Sequence, residues 1–122
     1  MRFCWCTLTV SDLEASIRFY RDVVGLSVNR RLSAGPGTAI AFMGDGETQV
    51  ELLCNSGKPA GPFGSNLSLG FVVESLDSTM ESIRKKGIPV HSGPFQPNPG
   101  IRFFYIQDPD GLKIQFVENC PV

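Results

Sequence analysis

The sequence predicts an α+β fold of two tandem βαβββ modules that form a concave, cavity-bearing mixed sheet with helices on its outer face. The first observation is an internal repeat, in which residues 5–17 align with residues 68–80. The second is that residues 49–53 align with residues 113–117. The third is the order of segments, because each copy places one segment of helical periodicity after its first strand-like segment. A single helix covers only one face of its sheet, so the other face must meet another copy or hold a ligand.

The first module begins with residues 3–10, whose aromatic, Thr and Val content predicts a strand. Ser11 or Asp12 is expected to cap the helix that follows, and Gly25 to end it. Residues 26–32, 38–43 and 48–54 predict three further strands, with turns at residues 35–37 and 44–46.

The second module repeats this order, with a strand at residues 67–74 and a helix at about 77–86 that stops at Gly87. Strands are predicted near residues 89–92, 101–106 and 112–118, and residues 95–100 predict a surface loop. The whole chain, residues 1–122, is expected to be a single domain. Module 1 covers about residues 1–54, the linker residues 55–66, and module 2 about residues 67–120.

Composition excludes several classes of function. The 122 residues are 42% hydrophobic and 19% charged, with a net charge of −1, which is typical of a globular protein. This balance predicts no nucleic-acid partner and no membrane partner, and the apolar stretches are too short to span a bilayer. No secretory leader is recognisable, so a cytoplasmic location is expected. The four cysteines are then expected to be reduced and to fill the core.

Two stretches, residues 11–26 and 108–118, resemble the signature stretches of the vicinal oxygen chelate superfamily. That superfamily includes glyoxalase I, bleomycin-resistance proteins, extradiol dioxygenases, fosfomycin-resistance transferases and methylmalonyl-CoA epimerase. The resemblance covers nearly the whole chain and implies the fold, but it does not imply one reaction. Many small relatives are homodimers with sites at the interface, so the resemblance also implies a homodimer. In that dimer Trp5 and Glu51 of one chain would meet Ser68 and Gln115 of the other.

The resemblance further implies which positions would hold a metal. Metal-dependent relatives of glyoxalase I carry four ligands, and the matching positions here are Trp5, Glu51, Ser68 and Gln115. Glu51 is a good ligand, whereas Gln115 is a weak neutral donor and Ser68 a poorer one. Indole has no available lone pair, so Trp5 cannot ligate a metal. No cofactor is therefore expected, with a divalent metal held by other ligands left as the alternative.

Strand alternation predicts the ligand-binding residues. Side chains on a strand alternate between two faces, and the more apolar set should face the helices. The remaining set is expected to line the cavity and bind the ligand: Trp5, Thr7, Gln49, Glu51, Ser68 and Gln115. Trp5 offers a flat apolar surface for a planar ligand, and Glu51 is the candidate catalytic base. His91, the sole histidine, matches no ligand position and is expected to be an ordinary strand histidine.

Two hypotheses follow. The first is a small-molecule-binding protein that lacks the family metal centre and binds an aromatic or amphipathic ligand in the concave cavity. The alternative is an enzyme, a glyoxalase I-like lyase, an epimerase or a dioxygenase, that uses Glu51 as base or metal ligand. This enzyme needs a metal or an arginine to stabilise negative charge, but alternation does not settle which faces Arg30 and Arg102 occupy.

Overall fold

The computed structural model describes residues 1–56 and 60–121, so residues 57–59 of the expected linker lie outside the described part. The chain divides into two compact units, Met1–Pro62 and Phe63–Val122. Each unit contains a strand, a helix and three further strands in that order. The predicted α+β class and the tandem βαβββ order are confirmed, and the described strands form two four-stranded mixed sheets.

The first unit consists of β1 (Trp5–Thr9), α1 (Leu13–Phe19), β2 (Val28–Ser33), β3 (Thr38–Met43) and β4 (Gln49–Asn55). Helix α1 continues as a π-helical turn, Tyr20–Val24. Its strand order is β1-β4-β3-β2, with β1 parallel to β4 and the other pairs antiparallel. Asp12 caps α1 by accepting a hydrogen bond from the backbone N–H of Ala15. Gly25, at φ 92°, supplies the left-handed residue after the last helical turn.

The second unit consists of β5 (Ser68–Val72), α2 (Leu76–Lys85), β6 (Ser92–Asn98), β7 (Ile101–Gln107) and β8 (Lys113–Asn119). Its strand order, β5-β8-β7-β6, repeats that of the first unit, with β5 parallel to β8. Ser75 caps α2 by accepting a hydrogen bond from the backbone N–H of Ser78 at 3.2 Å. No helix in the described residues is both long enough and apolar enough to cross a membrane.

Each unit has a core between its helix and its sheet. In the first unit, α1 packs against β3 and β4, and Leu8, Tyr20 and Leu52 are among the fully buried side chains. In the second, α2 packs against β8, and Leu76, Phe104 and Phe116 are buried. Full burial of one such side chain stabilises the fold by roughly 1.5–3 kcal/mol. Both cores therefore lie on one face of each sheet, and we call the opposite face of each sheet its helix-free face.

The expected loop at residues 95–100 is wrong, as is the short strand at residues 89–92. Strand β6 spans Ser92–Asn98, and only Pro99 and Gly100 form the turn to β7. Proline is tolerated there because β6 is the edge strand of its sheet. Its ladder with β7 is irregular, with Cα partners only at Ser92, Phe95 and Asn98. The prolines that favoured a loop mark an irregular edge strand instead.

The four cysteines are free thiols, and each is only partly buried. Cys4 precedes β1 and Cys120 follows β8, while Cys54 lies near the end of β4. Cys6 lies within β1. The expectation that the cysteines fill the core is therefore met only in part, because all four side chains remain partly exposed.

Candidate functional site

Four of the predicted ligand-binding residues lie together on the helix-free face of the first sheet. Strands β1 and β4 run in parallel, with Trp5 beside Gln49 and Thr7 beside Glu51. Residues of the other parity, including Leu8, Val50 and Leu52, are buried on the side of α1. The alternation that separated these sets in the sequence therefore places Trp5 and Glu51 on one face.

One row of side chains crosses all four strands on this face. Thr7 pairs with Glu51, Glu51 with Phe42, and Phe42 with Arg30. Cross-strand partners point to the same face of a sheet, so Arg30 and Glu51 flank Phe42. The Thr7 hydroxyl donates a hydrogen bond to Oε1 of Glu51. Gln49 is engaged elsewhere, because its Nε2 donates to the carbonyl oxygen of Gly44 at 3.0 Å.

Phe42 is the centre of an aromatic and cationic cluster. Its ring centroid lies 5.1 Å from that of Trp5 in an edge-on arrangement, and Cζ of Arg30 lies 4.3 Å from the same centroid. These neighbours leave Phe42 only 3% exposed, whereas Trp5 remains 43% exposed. The arrangement offers a flat apolar surface, a guanidinium and a carboxylate on one face of one sheet. Such a face can bind a planar molecule with polar groups at its edge.

Sequence reasoning missed Phe42 and left Arg30 unassigned. Phe42 lies on β3, next to the strand that carries Glu51, and it belongs to neither aligned stretch of the sequence repeat. Only the β3–β4 register brings it beside Glu51. For Arg30 the obstacle is a bulge, since the register of β2 shifts between Val28 and Arg30. An extra residue in a strand reverses the parity of every residue beyond it, so simple alternation cannot settle the face.

On the second sheet, Ser68 and Gln115 lie on the helix-free face but are not cross-strand partners. Ser68 pairs with Lys113, and Gln115 pairs with Gly70 and Tyr105. Nε2 of Gln115 lies 3.3 Å from the Tyr105 hydroxyl, to which it donates a hydrogen bond. The neutral amide is thus tied to a neighbouring strand.

An aromatic group that the sequence did not reveal lies on the same face of the second sheet. Phe95, Phe103 and Tyr105 have ring centroids 5.5–6.5 Å apart. Nζ of Lys113 lies 4.7 Å from the Tyr105 ring centroid. The sequence predicts a loop at Phe95, and only the pairing of β6 with β7 brings these rings together.

Arg102 faces the opposite way from Arg30. Its Nη2 lies 3.2 Å from Oδ1 of Asp77 on α2, and this hydrogen bond raises the pKa of the guanidinium. Glu118 lies on the same side, where its Oε1 accepts a 2.6 Å hydrogen bond from the backbone N–H of Leu76. That bond, followed by a weaker one from the Cys120 thiol, lowers the pKa of Glu118. Arg102 is therefore a structural residue between sheet and helix and is not available to a ligand on the helix-free face.

The donor set does not fit the metal centre that the resemblance implies. Trp5 and Glu51 supply one carboxylate, and one of its two oxygens accepts a hydrogen bond from Thr7. Ser68 and Gln115 supply only neutral oxygens, and the Gln115 amide is bonded to Tyr105. A transition ion needs at least three nitrogen, sulfur or carboxylate ligands. The His91 ring does not complete the set, because its Nδ1 lies against the Ser92 hydroxyl at 3.1 Å on an exposed part of the chain.

Comparison with known proteins identifies the family. Residues 2–116 match the model of the Glyoxalase/Bleomycin resistance protein/Dioxygenase superfamily. The chain is 34% identical to the lactoylglutathione lyase of Haemophilus influenzae, over 98% of this chain and 93% of that protein. It is 32% identical to a probable lactoylglutathione lyase of Synechocystis, over 92% and 91% of the two chains.

Solved structures show the same fold. A glyoxalase I variant from Zea mays matches with a TM-score of 0.85 and 25% identity, over 98% of this chain and 46% of that one. The glyoxalase I of Leishmania major matches with a TM-score of 0.82 and 24% identity, over 97% and 86% of the two chains. By the match of its sequence along nearly its full length, the chain belongs to the Glyoxalase/Bleomycin resistance protein/Dioxygenase superfamily.

Proposed function

We propose that the chain binds a small aromatic or amphipathic molecule on the helix-free face of its first sheet, without the family metal centre. The observation that carries this proposal is the half-exposed Trp5 ring, which lies against Phe42 at a position where metal-dependent relatives carry a ligand. An indole in that place replaces coordination by a surface for stacking. Thr7, Glu51 and Arg30 supply polar groups around it.

Binding can be followed by intrinsic tryptophan fluorescence, because Trp5 is the only tryptophan of the chain. We expect its fluorescence to change on titration with naphthalene-2-carboxylate or naphthalene-2-carboxamide, and elemental analysis of the purified protein to find no stoichiometric transition metal. One tightly held nickel, zinc or iron ion per chain would overturn the metal-free proposal. Failure of both compounds to bind would overturn the ligand class.

A second candidate function is lactoylglutathione lyase activity. The names of the relatives support it at least as strongly as they support a binding protein. Glu51 supports it too, since Oε1 accepts from Thr7 while Oε2 has no hydrogen-bond partner in the described residues. A carboxylate held on one oxygen can use the other as a general base. Arg30, across Phe42, would provide the cation that stabilises developing negative charge.

Turnover decides between the two candidates. The protein is assayed for formation and breakdown of lactoylglutathione, as purified and after incubation with Ni²⁺ or Zn²⁺. We expect no turnover in either state from a binding protein. Turnover that disappears in Glu51→Gln, while the Trp5 fluorescence response to the naphthalene compounds is retained, would establish the lyase instead.

The proposal includes a homodimer, which is supported by the pairing of many small members of this family. Light scattering behind size exclusion is expected to give the mass of two chains at micromolar concentration. The mass of a single chain under those conditions would contradict it.

A further inference from the structure

We infer that the ligand carries a carboxylate beside its planar apolar part, and that Arg30 binds this carboxylate. The inference rests on the proposed function, binding at the helix-free face of the first sheet, and names the chemical class of its ligand. It also makes Arg30 a specificity-determining residue, a role that neither the repeat nor the family positions assign.

The arginines of the chain differ in their partners. Ion pairs occupy four of them: Arg21 with Asp22, Arg31 with Glu14, Arg84 with Glu81, and Arg102 with Asp77. Arg30 has no carboxylate within 4.0 Å in the part of the chain that the structure describes. Its neighbour across Phe42, Glu51, is bonded to Thr7 instead. Arg30 is thus a fixed cation with its charge uncompensated by a side chain.

The contact with Phe42 orients this cation without using its hydrogen bonds. The guanidinium lies over the ring, with Cζ 4.3 Å from the centroid. A contact of this kind uses the charge of the guanidinium, whose five in-plane N–H donors stay available for hydrogen bonds. A carboxylate is the group that accepts two such donors in parallel.

The apolar half of the ligand site adjoins this cation. Trp5 and Arg30 both contact the Phe42 ring, so one small molecule reaches both. The exposed part of the Trp5 indole provides the flat surface. A planar ring with a carboxylate at its edge satisfies the two groups together, whereas a neutral or cationic planar molecule leaves Arg30 unpaired.

Glu51 does not oppose an anion at Arg30 strongly. Strands β2 and β4 are separated by β3. Two strand spacings amount to roughly 10 Å. That backbone separation is about one Debye length at physiological ionic strength, so screening weakens the repulsion between Glu51 and an anion at Arg30.

The test compares two ligands of the same shape and two arginines of the same strand. Naphthalene-2-carboxylate and naphthalene-2-carboxamide are titrated by calorimetry into the wild type, Arg30→Gln and Arg31→Gln. Arg31 is the matched control because it lies next to Arg30 but pairs with Glu14 on the helix side. We expect the wild type and Arg31→Gln to bind the carboxylate about tenfold or more tightly than the amide. Arg30→Gln is expected to bind the two compounds equally.

The outcomes separate this inference from the proposed function. Equal binding of both compounds by the wild type, abolished by Trp5→Ala, would leave the proposed function intact and overturn the role of Arg30. If Arg31→Gln also lost the preference for the carboxylate over the amide, the specific role of Arg30 would be overturned. No binding of either compound would overturn both. If Arg30→Gln does not fold, Arg30→Lys keeps the charge without the planar donors, and is expected to retain only part of the preference.

Discussion

At the scale of single residues, the two copies of the repeat have the same strand pairing but make different polar contacts. Glu51 and Gln115 occupy equivalent places on β4 and β8, but their partners differ. Glu51 accepts from Thr7, whereas the position equivalent to Thr7 is Gly70. A Cβ at Gly70 would lie 3.1 Å from Oε1 of Gln115, so the missing side chain leaves room for the amide. The first sheet therefore carries the charged group and the second a neutral one.

Trp5 is predicted to stabilise the fold as well as to bind ligand, because it covers Phe42. Trp5→Ala should lower the free energy of unfolding by about 1–2 kcal/mol, since it removes an aromatic pair and exposes a buried ring. Trp5→Phe is the control and should retain most of that stability. Urea unfolding followed by circular dichroism measures both. Equal stability of the alanine variant and the wild type would show that the contact with Phe42 contributes little.

At the scale of elements, edge strand β6 depends on one close approach of backbones. Gly93 has φ 100°, and a Cβ there would lie 3.0 Å from Cα of Phe104 and 3.1 Å from the carbonyl oxygen of Phe103. Backbone atoms of β7 cannot move aside as a flexible side chain can. The glycine is therefore required for β6 to lie against β7 and bring Phe95 beside Phe103.

Gly93→Ala is predicted to destabilise the protein more than Gly87→Ala. Both glycines have positive φ, but a Cβ at Gly87 would meet nothing within 4 Å. Gly87→Ala should cost about 1 kcal/mol from backbone strain alone. Gly93→Ala should cost roughly 2–4 kcal/mol, because a steric clash is added to that strain. Thermal unfolding of the two variants measures the difference, and similar melting temperatures would contradict it.

At the scale of the whole molecule, acid sensitivity is predicted from Glu118, which joins the last strand to the start of α2. Its pKa is lowered below the ordinary value of 4.5, mainly by the hydrogen bond from Leu76. A group with a lowered folded pKa contributes stability above its unfolded pKa, and this is lost as pH falls through the folded pKa. We expect stability to decline below about pH 4.5 and the decline to be shallower in Glu118→Gln. Urea unfolding at a series of pH values measures this, and identical pH profiles would exclude Glu118 as a cause.

Metal ions are predicted to leave the stability of the whole chain unchanged. A ligand that binds only the folded state raises the melting temperature, and the rise grows with the logarithm of the ligand concentration relative to its dissociation constant. With one carboxylate and two neutral oxygens at the family positions, Ni²⁺ and Zn²⁺ should give the same melting temperature as EDTA. A rise of several degrees with one ion alone would show that other residues complete a site.

The sequence by itself determined the repeat, the order of elements and the face that Trp5 and Glu51 share. These features depend on local periodicity, which a strand or helix imposes on neighbouring residues. The turn before β8 is equally local, because Oδ1 of Asp108 accepts from the backbone N–H groups of Asp110 and Leu112.

Only the tertiary structure decided which residues surround the Trp5–Glu51 site. The bulge in β2 turns Arg30 toward Phe42, and an ion pair with α2 holds Arg102 on the helix side. The pairing of β6 with β7 makes a strand of a proline-containing segment and gathers three aromatic rings. Each of these depends on contacts between residues distant in sequence, and a bulge or an edge pairing leaves no periodic pattern in the chain.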